Sequence, residues 1–275
     1  MSARARRMRA TLPRALRSQL LRLSRSPIAA VHAACGTAAG AACGAYFACA
    51  PWDPSLGADA YAQLLGAMMP LMAGIVCGLA VDEERVAGGL ANLTGAPSRA
   101  RAVLALYGAL VLMGAATLAL AFGLFAAILA AAGALAVGAG AIALSWAGCV
   151  LGSLPLYALA LALSLRFGRN VAIGAGAAGL ALAFLSVGGL AHGLMTGELT
   201  GAHGADALGA LPFCWAARLG SLGIEGAIAA SGTAEAVAVR AAGALTGTAA
   251  ALASLACATA LPIWFRHFEN GETHG

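Results

Sequence analysis

Few side chains in this chain have the types and spacing that chemistry requires. The densest group is Asp82-Glu83-Glu84-Arg85, which opens a polar stretch running to Arg101. A second group, His192, Glu198, His203 and Asp206, offers nitrogen and oxygen donors. Its spacing matches no established zinc-ligand pattern, and the four read as ordinary loop composition. Seven cysteines (Cys35, Cys43, Cys49, Cys77, Cys149, Cys214 and Cys257) form no CxxC pair and fall mostly in apolar runs. There a cysteine behaves as a small hydrophobe, so neither a metal site nor a disulfide framework is expected. The phosphate-binding loop GxxxxGK[ST] is absent, so the chain does not hydrolyse ATP by the P-loop route, and HExxH and GxSxG are absent too. The expectation is a protein that is not an enzyme, with no catalytic residues, no metal and no cofactor bound directly.

One enzymatic alternative starts from Glu83-Glu84, since membrane-embedded CAAX-type proteases use paired glutamates. The later-helix partners of such a pair, an apolar-flanked His followed by Asn or Asp, are missing here.

The elements that hold these residues follow from composition. Of 275 residues 61% are hydrophobic and only 10% charged, against roughly a quarter charged in a soluble domain. Water is therefore not the main solvent. There is no lysine, and eight of the 16 arginines (Arg4, Arg6, Arg7, Arg9, Arg14, Arg17, Arg22, Arg25) precede the first long apolar run. Arginine placed beside a span is retained in the cytoplasm, so the net charge of +5 reports topology rather than a nucleic-acid partner.

Six spans are expected, at about 28–50, 62–81, 102–130, 138–165, 171–195 and 241–265, which makes an all-α integral membrane protein. The first is longer than a signal-peptide core and is read as retained. Residues 102–165 carry no charge at all, too long a stretch for one helix and suited to a hairpin turning between 130 and 138. With the N-terminus inside, fourteen arginines fall on cytoplasmic segments and only Arg218 and Arg240 on outer ones. Both termini, the tail at 1–27 and the short tail at 266–275, are then cytoplasmic, and the transmembrane domain covers 28–265. The predicted spans one to four hold no carboxylate and no arginine. The only ionisable side chains deep in apolar runs are His32 and His192, which argues against proton coupling or an ion pump. Gly36, Gly40 and Gly44 form a small-xxx-small stripe suited to close helix packing.

Two further helices are expected outside the spans. From Leu12 onward leucines (Leu12, Leu16, Leu20, Leu23) share one stripe while Arg14, Arg17, Arg22 and Arg25 point elsewhere, the pattern of an interfacial basic helix. Disorder is expected before it. Between the second and third spans, Asp82, Glu83 and Glu84 are expected to open a short helix through their interaction with its dipole. Val86, Leu90 and Leu93 would form its apolar side, and Gly95 and Pro97 would end it. Such a helix suits a permease seated in a cleft on a partner ATPase. Residues 196–240 are read as an outer polar segment.

Four segments resemble the lantibiotic-immunity permeases of the ABC-2 type superfamily, in the MutG-like branch. They are Leu21-Arg-Leu-Ser-Arg-Ser-Pro-Ile-Ala-Ala-Val-His32, then Asp82-Glu-Glu with Gly88, Leu90-Ala-Asn-Leu93 and Ser98-Arg99, then Leu211-Pro-Phe-Cys-Trp-Ala-Ala-Arg218, and finally Trp264-Phe-Arg-His-Phe-Glu269. They follow the family's order and lie on the expected sides. The alanine- and glycine-rich spans depart from the family's bulkier ones. The resemblance implies an ABC-2 type permease with six spans in a bacterial cytoplasmic membrane. It also implies an ATP-binding cassette subunit that uses ATP, a second identical or related permease, and removal of a lantibiotic from the bilayer. Residues Asp82, Glu83, Glu84, Gly88, Leu90, Asn92, Leu93, Ser98 and Arg99 would couple to the ATPase. An ABC-2 permease for another peptide, lipid or drug remains the closest alternative. A membrane-embedded protease or a non-transport scaffold is the alternative of a different class.

Overall fold

The computed structural model describes residues 11–186, 192–199, 201 and 208–268. Among these there are ten α-helices and one short 3-10 turn, and no strand. The helices are α1 Leu12–Leu23, α2 Pro27–Cys49, α3 Pro54–Gly88, α4 Ala91–Thr94, α5 Arg99–Ala131, α6 Ala139–Phe167, α7 Arg169–Ser186, α8 His192–Thr196, α9 Trp215–Ile228 and α10 Ala234–Arg266. Six of them (α2, α3, α5, α6, α7 and α10) are long and apolar enough to cross a membrane. The protein is thus an all-α, multi-pass membrane-type bundle.

Local chemistry sets the helix ends. Ser26 accepts from the Ile28 N–H at 3.2 Å with Pro27 beside it, so α2 starts where a capping serine and a proline permit it. Asp53 caps α3, accepting from the Ser55 N–H at 2.9 Å, the Leu56 N–H at 3.1 Å and the Ser55 hydroxyl. The Ser55 hydroxyl and the Leu56 N–H hold its carboxyl below the usual aspartate range. Ser98 and Thr233 cap α5 and α10 in the same way. The charge-free stretch turns at 132–138, inside the expected window.

Glycine and alanine decide the packing. A Cβ on Gly36, Gly40 or Gly44 would stand 2.9 Å from the Thr117 carbonyl oxygen, 2.6 Å from that of Ala121 and 3.1 Å from Ile128. The stripe expected from the sequence is therefore the face by which α2 lies on α5. Gly74 and Gly78 of α3 and Gly176 and Gly179 of α7 allow a second close approach. In the most apolar stretch of each helix, 67% of α3 and 61% of α6 is buried, against 28% in each of the other four. Hence α3 and α6 form the axis, and the others surround it.

Three spans differ from expectation. The sixth, α10, starts at Ala234, seven residues before the predicted 241, and so includes Glu235 and Arg240. Helix α3 starts eight residues before the predicted second span and ends seven after it, so it carries both Asp59 and the acidic group. The fifth span, expected to reach 195, is described as helix only to Ser186. Residues 187–191 lie outside the described set, and His192–Thr196 is a separate short helix.

The larger correction concerns residues 196–240. Trp215–Ile228 is not an outer segment but a buried helix wedged between α3 and α6. A Cβ on Gly66 would come within 2.3 Å of Ala217, and one on Gly152 within 2.5 Å of Ala216. Gly66 lies twelve residues into α3, about 18 Å along it. Near its other end, Gly223 meets Ser145. At 14 residues, α9 is about 21 Å long, too short to cross a bilayer core. It is a half-helix that begins deep in the bundle and climbs to one end.

Candidate functional site

Two polar regions stand out, one at each end of α3. The first holds the residues singled out in the sequence. Asp82, Glu83 and Glu84 do not open a helix; they lie in the last turns of α3, where the dipole disfavours negative charge. Cations from elsewhere offset this. Arg22 of α1 pairs with Glu84 at 3.1 Å and with Glu83 at 3.7 Å, and Arg169 of α7 pairs with Asp82 at 3.2 Å. Asn92 Nδ2 donates to the other Glu84 oxygen at 3.1 Å. Glu84 itself is 1% exposed.

The chain then reverses through two successive left-handed residues, Gly89 (φ 61°) and Leu90 (φ 68°). The Gly89 N–H donates to the Arg85 carbonyl and the Leu90 N–H to that of Glu84, the closure found at many helix ends. A leucine is strained in this conformation. Its side chain is 1% exposed and packs in the same apolar cluster as Leu23, Leu93 and Phe265, which holds the turn in place. The expected amphipathic helix is therefore the four residues Ala91–Thr94. Leu90 and Leu93 (0% exposed) face the protein's own core, so they do not offer the partner contact expected of them. Val86, by contrast, is 90% exposed.

The remaining predicted residues serve the same junction. Ser98 caps α5, and Gly88 lies on the open surface beside Val86. Arg99 donates to the carbonyls of Thr94 (2.8 Å), Phe268 (3.1 Å) and Arg266 (3.5 Å), tying down the ends of α4 and α10. Arg85, not singled out beforehand, donates to Ser164 and Leu165 at the end of α6. Cations at helix C-termini satisfy the orphan carbonyls and complement the dipole. Of the expected interfacial set, Arg22 is used in ion pairs, whereas Arg14, Arg17 and Arg25 are exposed on or beside α1. That helix forms as expected and lays Leu16, Leu20 and Leu23 on the bundle. The N-terminal arginines Arg4, Arg6, Arg7 and Arg9, together with His203, Asp206 and Glu269, lie outside the described residues. Among the described residues no group of histidine, cysteine and carboxylates could hold a metal ion.

The second region was missed. Asp59, 2% exposed, accepts from Ser221 Oγ at 2.6 Å and from Gln63 Nε2 at 2.8 Å. Gln63 Nε2 also reaches Ser221 Oγ, at 3.2 Å. Glu225, 0% exposed, accepts from the Gly201 N–H at 2.7 Å, and Arg218 Nε donates to the Gly201 carbonyl at 3.3 Å. Glu225 lies within electrostatic reach of Asp59. Two carboxyl groups are therefore buried between α3 and α9. Asp59 lies in α3 three residues before the predicted second span, and Glu225 lies on a helix that is none of the predicted spans. The available signal was a pair of four-residue spacings, Asp59–Gln63 and Ser221–Glu225, which put each couple on one helix face.

Beside α9, a cleft of about 640 Å³ runs between α6, α9 and α10, walled largely by glycine, alanine and leucine, with Arg240 among its lining residues.

Compared with known proteins, the chain matches no family model, no curated protein and no solved structure.

Proposed function

We propose that this chain is the membrane-spanning permease subunit of an ABC transporter of the ABC-2 type, in a bacterial cytoplasmic membrane with both termini inside. It works with a separate ATP-binding cassette subunit that uses the ATP, and with a second permease, identical or related. It expels a lantibiotic or similar antimicrobial peptide from the bilayer, and it binds no nucleic acid. The observation that carries this reading is the junction at the arginine-rich end. There a basic amphipathic helix, the turn between the second and third membrane helices and the ends of α6 and α10 are fastened together by Arg22, Arg85 and Arg99. A force applied at the exposed Val86–Gly89 surface would reach four membrane helices at once. A passive scaffold does not require such a linkage.

Support also comes from the absence of nucleotide-binding and protease motifs in the full sequence, and from the four ordered segments of family resemblance. The test is recovery of partners from mild detergent. The wild-type protein should bring down an ATP-binding cassette subunit, and Val86→Asp should lose it while keeping the same thermal stability. If no such ATPase is recovered under conditions that preserve other membrane complexes, the permease reading is withdrawn. If Val86→Asp recovers it undiminished, the ATPase contact lies elsewhere. Leu90→Asp is unsuitable here, since it would place a charge in the core.

A further inference from the structure

A groove of about 470 Å³ runs along one flank of the bundle between α1, α2 and α5. Leu20, Leu21, Ala33, Met113, Ala116 and Leu120 give it apolar walls. On α5 the lining residues Met113, Ala116, Thr117 and Leu120 share one face, so the trough follows that helix for about 10 Å.

Its polar groups are few. Ser24 and Thr117 direct their hydroxyls to the Leu21 and Met113 carbonyls, each at 3.0 Å. Arg17 is exposed, and among the described residues no carboxylate pairs with it. His32 is 4% exposed. Its Nδ1 lies 2.8 Å from the Ile28 carbonyl, which can only accept, so Nδ1 carries the hydrogen and neutral Nε2 is left as an acceptor. That Nε2 is buried and has no hydrogen-bond partner. A buried polar atom without a partner needs an explanation, and this one belongs to a residue lining an apolar trough with a cation beside it.

We propose that the groove is a binding site for one anionic phospholipid with a hydroxyl-bearing headgroup, of the phosphatidylglycerol class. The phosphate rests against Arg17, a headgroup hydroxyl donates to His32 Nε2, and an acyl chain lies along Met113, Thr117 and Leu120. Charge complementarity selects an anionic lipid over a zwitterionic one, because the guanidinium has no protein carboxylate to neutralise it. The bound lipid fills the gap that α1 leaves against α2 and α5. The stability of the α1 clamp thereby depends on membrane composition. This proposal uses neither the ATPase nor the transported peptide, so its outcome is separate from that of the permease reading.

The experiment is native mass spectrometry and thermal unfolding of the delipidated protein in neutral detergent, with phosphatidylglycerol, phosphatidylcholine or inorganic phosphate added. One phosphatidylglycerol should be retained per chain and should raise the unfolding temperature above that seen with phosphatidylcholine. Arg17→Gln should weaken phosphatidylglycerol binding about fivefold, the worth of one basic residue at an anionic surface, and leave phosphatidylcholine binding unchanged. Ala116→Leu, at an exposed groove position, should lower occupancy without changing the unfolding temperature of the lipid-free protein. Equal retention of the two lipids, an Arg17→Gln protein that binds phosphatidylglycerol as tightly as wild type, or equal stabilisation by inorganic phosphate would each overturn the proposal.

Discussion

The two ends of α3 handle charge in opposite ways. At the end holding Asp82, Glu83 and Glu84, every carboxylate meets a guanidinium from another helix, and Glu84 is the only deeply buried member. At the end holding Asp59, a hydroxyl, an amide and a backbone N–H serve two buried carboxyl groups that lie within electrostatic reach of each other. The first arrangement neutralises charge and joins α1 and α7 to the turn region. The second fastens a half-helix to α3 by polar contacts that ion pairing alone would not explain. Burial of a charge is costly unless it is paired or well hydrogen-bonded. Glu84 has both an ion pair and a hydrogen bond, and Asp59 accepts two side-chain hydrogen bonds.

Four sets of substitutions would test that contrast. The largest effect is expected where α9 meets α3. Gly66→Ala places a Cβ against the Ala217 backbone and should cost about 3 kcal/mol, as overpacking does, or prevent assembly. Gly174→Ala, with open space around it, should be neutral when both are compared by unfolding in detergent. Next, Arg22→Ala strands the buried Glu84 and should cost about 2–3 kcal/mol. Adding Glu84→Gln should restore much of this, and strict additivity in that double-mutant cycle would refute the pairing.

At the opposite end, Asp59→Ala should cost about 1–3 kcal/mol, because Ser221 and Gln63 lose an acceptor inside the protein. Asp59→Asn keeps an acceptor and cannot ionise, so its cost should be well below that of Asp59→Ala. An equal loss for both would mean that the carboxylate charge itself, and not the hydrogen bonding, holds α9. The smallest effect on folding is expected for Val86→Asp. At a site 90% exposed it should change stability by less than about 0.5 kcal/mol, while removing ATPase recovery if the permease reading is correct.

The sequence made much of this architecture legible, and unevenly. The first span came within a residue because Ser26-Pro27 is a local signal, complete in two residues. The α2–α5 face was visible as Gly36, Gly40 and Gly44, since a repeat of four needs no knowledge of the partner helix. The nine residues assigned to coupling do gather in one place, but Leu90 and Leu93 point inward. Helical spacing identifies an apolar side without saying whether it faces a partner or the chain's own core. Asp59 and Glu225 lie 166 positions apart, and nothing in either neighbourhood announces the other. Each looked like loop composition at the edge of a span.

By itself, then, the sequence determined the solvent, the number of membrane-crossing helices and most of their ends. These depend on composition, hydropathy and caps, all of which are local. It also set one packing face, because glycine at every fourth position is a property of a single helix. The tertiary structure alone decided that Trp215–Ile228 enters the bundle, that the acidic group ends a helix instead of starting one, and that Leu90 is held inward at positive φ. Each of these depends on contacts between residues far apart in the chain, Gly66 with Ala217 or Arg22 with Glu84. Helix periodicity carries no record of which distant surface will fill a given groove or neutralise a given charge.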